Sequence, residues 1–247
     1  MQVECAEITL KGAREDNQDR VAHRQNGQSA MLVVCDGMGG HADGERAAEI
    51  ALTHLLQMFQ QTPHPLLDPY GFLHVGLGQA HERVVQFGAT VPLEHRPRAT
   101  CATCLVQGDS AYLAHVGDSR IYHLRQGRVV DRSRDHSHVE LLVREGVISA
   151  DQTVNHPMRN FVESCLGGES LLPEMTLMPR RVIKPGDVLL LCTDGFWSGL
   201  NDELIASEFN QRERELGLTL RLLAEAAVRS LGTASDNTSA VALRVLA

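Results

Sequence analysis

Apolar and polar positions alternate in blocks along the chain, and these blocks predict strands mixed with helices. Loose alternation over Val3 to Leu10 predicts a strand. The compact apolar run Ala30 to Cys35, which glycines follow, predicts a buried strand and then a tight loop. Apolar residues recur at helical spacing from Asp43 to Gln60, with Asp43 as the expected N-cap, and again from Tyr70 to Phe87.

The rest of the chain continues this mixture. Apolar runs separated by glycine-containing turns from Thr100 to Val130 predict an antiparallel meander. The polar stretch Arg144 to Glu174, which contains proline and paired glycines, predicts an irregular insertion. Further expected elements are helices at His138 to Gly146, Asn201 to Phe209 and Leu218 to Leu231, and strands at Lys184 to Thr193 and Ser239 to Leu246. Antiparallel strands with paired helices predict one α+β layered domain over residues 1–247.

Four short turns each place one aspartate next to an apolar run, namely Asp36, Asp118, Asp194 and Asp236. A buried carboxylate is costly to desolvate unless a cation or hydrogen bonds meet it. One such aspartate more often only caps a turn, but four together indicate a shared oxygen-lined site. Carboxylate and carbonyl oxygens suit Mg²⁺ or Mn²⁺ better than zinc or copper, so the sequence predicts a site for hard divalent cations.

The same residues indicate a hydrolytic chemistry. Asp36 is the expected bridge between two ions, and Gly37 leaves room for its own carbonyl to approach one of them. A water shared by two ions loses a proton more easily and becomes a hydroxide nucleophile. Arg14 can hold a phosphate through two hydrogen bonds, although a surface ion pair with a neighbouring acid is the alternative. Asp19 is expected to orient a metal-bound water.

Composition narrows the functional classes. The 247 residues carry a formal net charge of −8, which argues against a nucleic-acid partner, a nuclease and an electrostatic membrane anchor. The first residues lack a basic leader, and the apolar runs are too short to span a bilayer, so we expect a cytoplasmic protein. Cys101 and Cys104 form a lone C-x-x-C, for which reduced buried thiols are a better interpretation than zinc.

Several motifs, in this order, make the chain similar to a known family. They are Arg14-x-x-Asn17-Gln18-Asp19, Cys35-Asp36-Gly37-Met38-Gly39-Gly40-His41, Val116-Gly117-Asp118-Ser119-Arg120, Asp135-His136-Ser137, Cys192-Thr193-Asp194-Gly195 and Ser235-Asp236-Asn237-Thr238. Nearly the whole chain resembles the metal-dependent type-2C (PPM) Ser/Thr protein phosphatases of the compact bacterial type. The resemblance implies a four-layer αββα sandwich of two antiparallel sheets flanked by helix pairs.

The resemblance also implies a set of ligands and roles. Asp36 would bridge two ions and the Gly37 carbonyl would bind one of them; Asp194 and Asp236 would hold the other, and Asp118 with Asp194 a third, weaker ion. Arg14 would bind the substrate phosphate. Residues 141–168 would form a mobile flap beside the site. The chain departs from many relatives at Gln18, where an acid is common, and at Met38, where animal relatives carry a proposed histidine acid; His41 is a weaker candidate for that role.

The implied function is hydrolysis of phosphoserine and phosphothreonine by a metal-bridged hydroxide, with Mn²⁺ or Mg²⁺ as two core ions and a third. The expected partners are phosphorylated Ser/Thr proteins and a bacterial Ser/Thr kinase or its substrates, with the phosphatase as a monomer. A different class remains open at this point: a phosphatase-like module that binds phosphoproteins or acts as a scaffold with little turnover. Metal-dependent turnover of a phosphothreonine peptide discriminates between the two.

Overall fold

The fold is built from two antiparallel sheets packed face to face. The computed structural model describes residues 2–27, 29–39, 42–153, 156–211 and 213–246. In this part of the chain, one sheet has the strand order β1-β12-β11-β7-β8. The other has the order β10-β6-β5-β3-β4-β9, with β2 paired to β3. This is the α+β sandwich of antiparallel sheets that the sequence predicts.

The elements follow one another along the chain with short connections. The strands are β1 Val3–Leu10, β2 Asp19–Asn26, β3 Ser29–Met38, β4 Arg98–Ala99, β5 Cys101–Gln107, β6 Ser110–Val116, β7 Arg120–Arg125, β8 Arg128–Arg132, β9 Leu166–Gly167, β10 Thr176–Val182, β11 Val188–Cys192 and β12 Thr238–Val245. The helices are α1 Ala42–Gln61, α2 Pro69–Phe87, α3 His138–Arg144, α4 Asp194–Trp197, α5 Asp202–Phe209 and α6 Leu216–Leu231.

Alternation along the buried strands produces four layers. In β3, Leu32 and Val34 face the other sheet, while Met31, Val33 and Cys35 pack under helices α1 and α2. Helices α5 and α6 cover the outer face of the five-stranded sheet in the same way. Each sheet is therefore buried on both faces, which explains why its central strands read as continuous apolar runs.

Four strands escape prediction: β4 and β9, which have two residues each, and β2 and β10, whose sequences are polar. Strand β2 is Asp-Arg-Val-Ala-His-Arg-Gln-Asn, and β10 contains Pro179 and two arginines. β10 lies at the edge of its sheet and is irregular between Met178 and Arg181, where proline is tolerated because no neighbour needs its missing N–H. The N-cap prediction is wrong: α1 begins at Ala42, so Asp43 lies in the first turn, where its charge still favours the helix.

The strand ends decide where the functional residues lie. Asp36 lies within β3, which continues to Met38, whereas a tight loop was expected after Cys35. Asp236 lies just before β12 begins and not after an apolar run. In an antiparallel sheet, one rim collects the end of one strand and the start of its neighbour, so Asp36 lies where β2 starts in one sheet and Asp236 lies near the end of β11 in the other. Among the described residues, none of the helices is both long and apolar enough to cross a membrane.

Candidate metal centre

Asp36 and Asp19 face each other across the β2–β3 ladder. The two residues are direct partners in the antiparallel register, so their side chains lie on one face. Asp36 follows Leu32 and Val34 at intervals of two, which places it on the face between the two sheets. Asp19 is buried, and its Oδ2 accepts a hydrogen bond from the Thr193 hydroxyl at 2.9 Å. Thr193 thereby links this pair to the opposite sheet.

Asp194 and Asp236 come from neighbouring strands of that opposite sheet. Asp194 opens α4 two residues after β11 ends, and Asp236 precedes β12 by two residues. Strands β11 and β12 pair so that Cys192 faces Ala240, which brings both aspartates to the same rim. The Asp194 Oδ1 atom is buried and has no hydrogen-bond partner among the described residues, and the same holds for Asp19 Oδ1.

Asp118 lies in the turn between β6 and β7. Gly117 before it has φ +99°, and a Cβ there would lie 2.6 Å from Thr100 Cγ2, so the turn needs glycine. The Asp118 carbonyl accepts a hydrogen bond from the Trp197 indole at 3.0 Å, which ties this turn to α4. Asp118 is 7% exposed.

These five acids, called here the acidic cluster, influence one another electrostatically. Its members are Asp19, Asp36, Asp118, Asp194 and Asp236. Burial, and then the charges of the other four, raise the pKa of Asp36 well above its usual value. Burial raises the pKa of Asp19 to about 7, and burial together with the charge of Asp236 raises the pKa of Asp194 to about 6. Burial and the charge of Asp194 also raise the pKa of Asp118.

Arg14 supplies the positive charge at the edge of the acidic cluster. Its Nη2 donates to Asp236 Oδ2 at 2.5 Å. The Arg14 side chain is 61% exposed, so the rest of its guanidinium faces solvent. The surface pair with a neighbouring acid that sequence alone favoured is thus replaced by a pair with an acid from the other end of the chain.

Asn237 holds the loop that carries Arg14. Its amide nitrogen donates to the carbonyls of Lys11 and Asp16 at 2.9 and 2.8 Å, and its Oδ1 accepts from the Gln18 backbone N–H at 2.8 Å. This amide alone satisfies three backbone groups of one loop. The sequence contains Asn237 in a motif but gives no hint of this role, since the bonds span more than 200 positions.

The residues of the acidic cluster have the chemistry that hard cations require. Within the described part of the chain, no three acidic, histidine or cysteine side chains are arranged to hold an ion as they stand. Yet the donors are all oxygens, and two buried carboxylate oxygens have no partner among the described residues, which is the chemistry that Mg²⁺ or Mn²⁺ would satisfy. Repulsion between these acids costs free energy, and a cation bound between them would lower that cost.

Two further residues of the predicted site are Gly37 and His41. Gly37 pairs with Ala99, and a Cβ on it would meet the Gly44 carbonyl oxygen at 2.1 Å, so glycine is required by packing between β3 and α1. His41, a candidate proton donor, lies outside the described residues. Thr100 is a supporting residue that sequence reasoning missed: its hydroxyl accepts from the Asp36 backbone N–H at 3.2 Å.

A protein-family model, described as Protein phosphatase 2C, matches residues 12–226. The chain belongs to this family. The site residues from Arg14 to Asp194 lie inside the matched range, while Asp236 and Asn237 lie beyond it.

Individual relatives agree with this family. A protein phosphatase 2C-type protein of Streptococcus pyogenes is 31% identical over 195 residues, covering 78% of each chain. The serine/threonine protein phosphatase PstP of Mycobacterium tuberculosis is 29% identical over 98% of this chain. The match covers 46% of PstP, so the chain spans about half the length of that relative.

Solved structures share the fold over almost the whole chain. A serine/threonine phosphatase of S. agalactiae superimposes with a TM-score of 0.90 at 27% identity, covering 99% of this chain and 100% of that one. The catalytic domain of PstP in complex with two manganese ions gives 0.81 at 27% identity, with 99% of each chain covered. These similarities confirm the predicted fold class, two antiparallel sheets with helices.

Proposed function

We propose that this chain is a metal-dependent phosphatase that removes phosphate from phosphoserine and phosphothreonine in proteins. The observation that carries the proposal is the acidic cluster, in which carboxylates from both sheets meet beside Arg14 and two buried oxygens have no partner within the described part of the chain. Relatives described as serine/threonine phosphatases support the substrate class, and the two manganese ions in the PstP structure support Mn²⁺ or Mg²⁺ as cofactor.

In this proposal each residue has a defined task. Asp36, the Gly37 carbonyl, Asp194 and Asp236 hold two core ions, and Asp118 with Asp194 holds a third. When bound, the ions supply the positive charge that ionises a shared water and screens the phosphate oxygens. Asp19 orients that water from its buried position next to Thr193.

Arg14 binds the phosphate in this scheme, and its exposed guanidinium has the necessary access. If Asp236 bound a cation, the N–H group of Arg14 that now bonds to it would be free. Arg14 could then hold phosphate oxygens through two hydrogen bonds. Asn237 keeps the loop in place while this exchange occurs. The cation and the phosphate would therefore bind cooperatively, since each removes a partner that the other must displace.

Wider features of the proposal follow from the family. Residues 1–247 would form one phosphatase domain with a flap at residues 141–168. The protein would act in the cytoplasm as a monomer that opposes a bacterial Ser/Thr kinase. Within this range, the described residues between α3 and β9 include one short 3-10 helix, Ala150–Thr153.

The test is turnover of p-nitrophenyl phosphate and of a phosphothreonine peptide with and without Mn²⁺. Activity should depend on added Mn²⁺ or Mg²⁺ and disappear in EDTA. Asp194→Asn should lower kcat at least about 100-fold, because the amide cannot supply the ligand charge. Asp202→Asn is the matched control. This aspartate, the first residue of α5, accepts hydrogen bonds from Tyr122 on β7 and Arg132 on β8, and its replacement should leave kcat within about twofold. Full activity in EDTA would refute the proposal, and metal binding without turnover would favour a scaffold.

A further inference from the structure

His136 lies where the predicted flap leaves the sandwich and returns to it. The chain on either side of this point forms a small antiparallel ladder. The His138 N–H donates to the Phe161 carbonyl at 2.9 Å, and the Glu163 N–H donates to the His136 carbonyl at 2.8 Å. Between these bonds, Ser137 and Val162 form an isolated bridge. The segment 137–163 is therefore closed at its base, and His136 is the last residue of that base.

His136 also forms two hydrogen bonds with the turn that carries Asp118. The His136 N–H donates to the Gly117 carbonyl at 3.0 Å, and the Gly117 N–H donates to His136 Nδ1 at 3.2 Å. These reciprocal bonds satisfy both backbone groups of a buried glycine with positive φ. The geometry of the turn before Asp118 thus depends on one residue, through its backbone N–H and its imidazole.

The other side of the ring is fixed as well. Because Nδ1 accepts a hydrogen bond, the ring proton lies on Nε2, which is 2.8 Å from the Thr176 hydroxyl on β10. One face of the ring stacks on His115, with ring centroids 4.5 Å apart. Three elements therefore meet at His136: the base of the segment 137–163, the Gly117–Asp118 turn and the edge strand β10.

We propose that His136 is a positioning residue that couples the segment 137–163 to the placement of Asp118. The inference rests on the proposed function only in naming Asp118 as an ion ligand; the coupling itself concerns this chain's own residues. A shift of the segment would move His136 and, through the two Gly117 bonds, the carboxylate next to it. Conversely, an ion held by Asp118 would favour one position of the segment.

Asparagine and glutamine separate the two ring nitrogens. The Asn Oδ1 atom takes roughly the place of Nδ1, whereas the Gln amide reaches towards the place of Nε2. Both variants lose the stacking on His115. His136→Asn should keep the Gly117 bond, and His136→Gln should lose it. A role that is merely packing would affect both variants equally.

The first readout needs no metal and no turnover. In EDTA, hydrogen exchange of the Gly117 amide should become about fivefold faster in His136→Gln, the factor expected for losing one hydrogen bond, and stay within about twofold in His136→Asn. Thr176→Val, which removes only the Nε2 partner, should behave like His136→Asn. Equal exchange in the Asn and Gln variants would overturn the proposal.

The second readout is binding. Titration calorimetry with Mn²⁺ should show about tenfold weaker affinity at the weakest site in His136→Gln and near wild-type affinity in His136→Asn. If the variants fail to fold, the wild type decides. Its Gly117 and Glu163 amides should open with the same free energy at every denaturant concentration, since both bonds end on His136, and independent opening would contradict coupling. A wild type that lacks turnover would refute the proposed function, while the exchange data would still decide the role of His136.

Discussion

The two ends of strand β11 carry aspartates in opposite circumstances. Asp187, directly before the strand, is 1% exposed and is surrounded by donors. Arg125 Nε and Nη2 lie 2.7 and 2.6 Å from its carboxylate, His123 Nε2 lies at 2.9 Å, and the Lys184 N–H donates at 2.9 Å. Burial alone would raise the pKa of Asp187, but these hydrogen bonds hold it below its usual value.

Asp194, just beyond the other end of the strand, has the reverse balance. Its pKa is raised by burial and by the charge of Asp236, and its buried Oδ1 finds no partner among the described residues. The difference separates a structural carboxylate from one that we propose to be functional. The first receives its counter-charge from the chain itself, and the second retains a deficit that a bound cation can satisfy.

The largest expected contrast concerns pH in the metal-free protein. The pKa of Asp19 is about 7 when folded and near 3.8 when unfolded, so between these values the folded state binds more protons and loses stability as pH rises. Relative to Asp19→Asn, wild type in EDTA should lose about 3 to 4 kcal/mol of unfolding free energy from pH 4.5 to 7.5, at about 1.4 kcal/mol per pH unit.

Urea unfolding of both proteins at several pH values measures this. Taking the difference cancels histidines of opposite slope, such as His115, whose pKa burial lowers to about 4. A difference that stays constant with pH would show that Asp19 is compensated like Asp187.

The next effect tests the compensated end. Asp187→Asn should destabilise the protein by about 3 kcal/mol, because Arg125 would lose a buried anionic partner. Asp131→Asn is the control: its ion pair with Arg181 is partly exposed and should contribute less than about 1 kcal/mol. Denaturant unfolding in EDTA provides both values. A loss below that of the control would contradict the comparison.

Metal binding should stabilise only through the uncompensated end. Mn²⁺ at 100 times its dissociation constant should raise the unfolding free energy of wild type by about 2.7 kcal/mol for each ion bound. Asp187→Asn should retain this increment, while Asp194→Asn should lose most of it. Thermal unfolding with and without Mn²⁺ is the measurement, and an unchanged increment in Asp194→Asn would place the ion elsewhere.

The smallest effect has the opposite sign from the usual outcome of a buried substitution. Asp36→Asn should stabilise the metal-free protein at pH 8 by about 1 kcal/mol, because the amide removes one of the crowded charges and can donate to Asp194. The same variant should lose activity in Mn²⁺. Destabilisation in EDTA would mean that the acidic cluster is already satisfied without an ion.

The sequence predicts the fold well where burial fixes it. Strand β1 has its predicted limits, Val3–Leu10, and α2 begins one residue earlier than predicted, because strong periodicity marks both. Strands β2 and β10 are missed because polar residues interrupt their apolar pattern. Aspartates that interrupt apolar runs reveal most of the acidic cluster.

The parts of the site that escape prediction depend on tertiary contacts alone. Asn237 and Thr193 are small polar residues of a kind found in many turns. Their importance lies in which backbone groups they reach, and no local pattern records that. The pairing of Arg14 with Asp236 is similarly invisible, because a nearby acid is the simpler partner on the sequence alone.

The clamp that Asn237 places on the loop of Arg14 also sets the order of assembly. Strand β12 lies between β1 and β11 in its sheet, so β1 joins the sheet only when β12 enters. A ribosome-bound chain that has emerged as far as α6 has most of its carboxylates but neither Asp236 nor the clamp. The proposed site is therefore complete only once β12 has joined the sheet, whichever of the other strands have already paired.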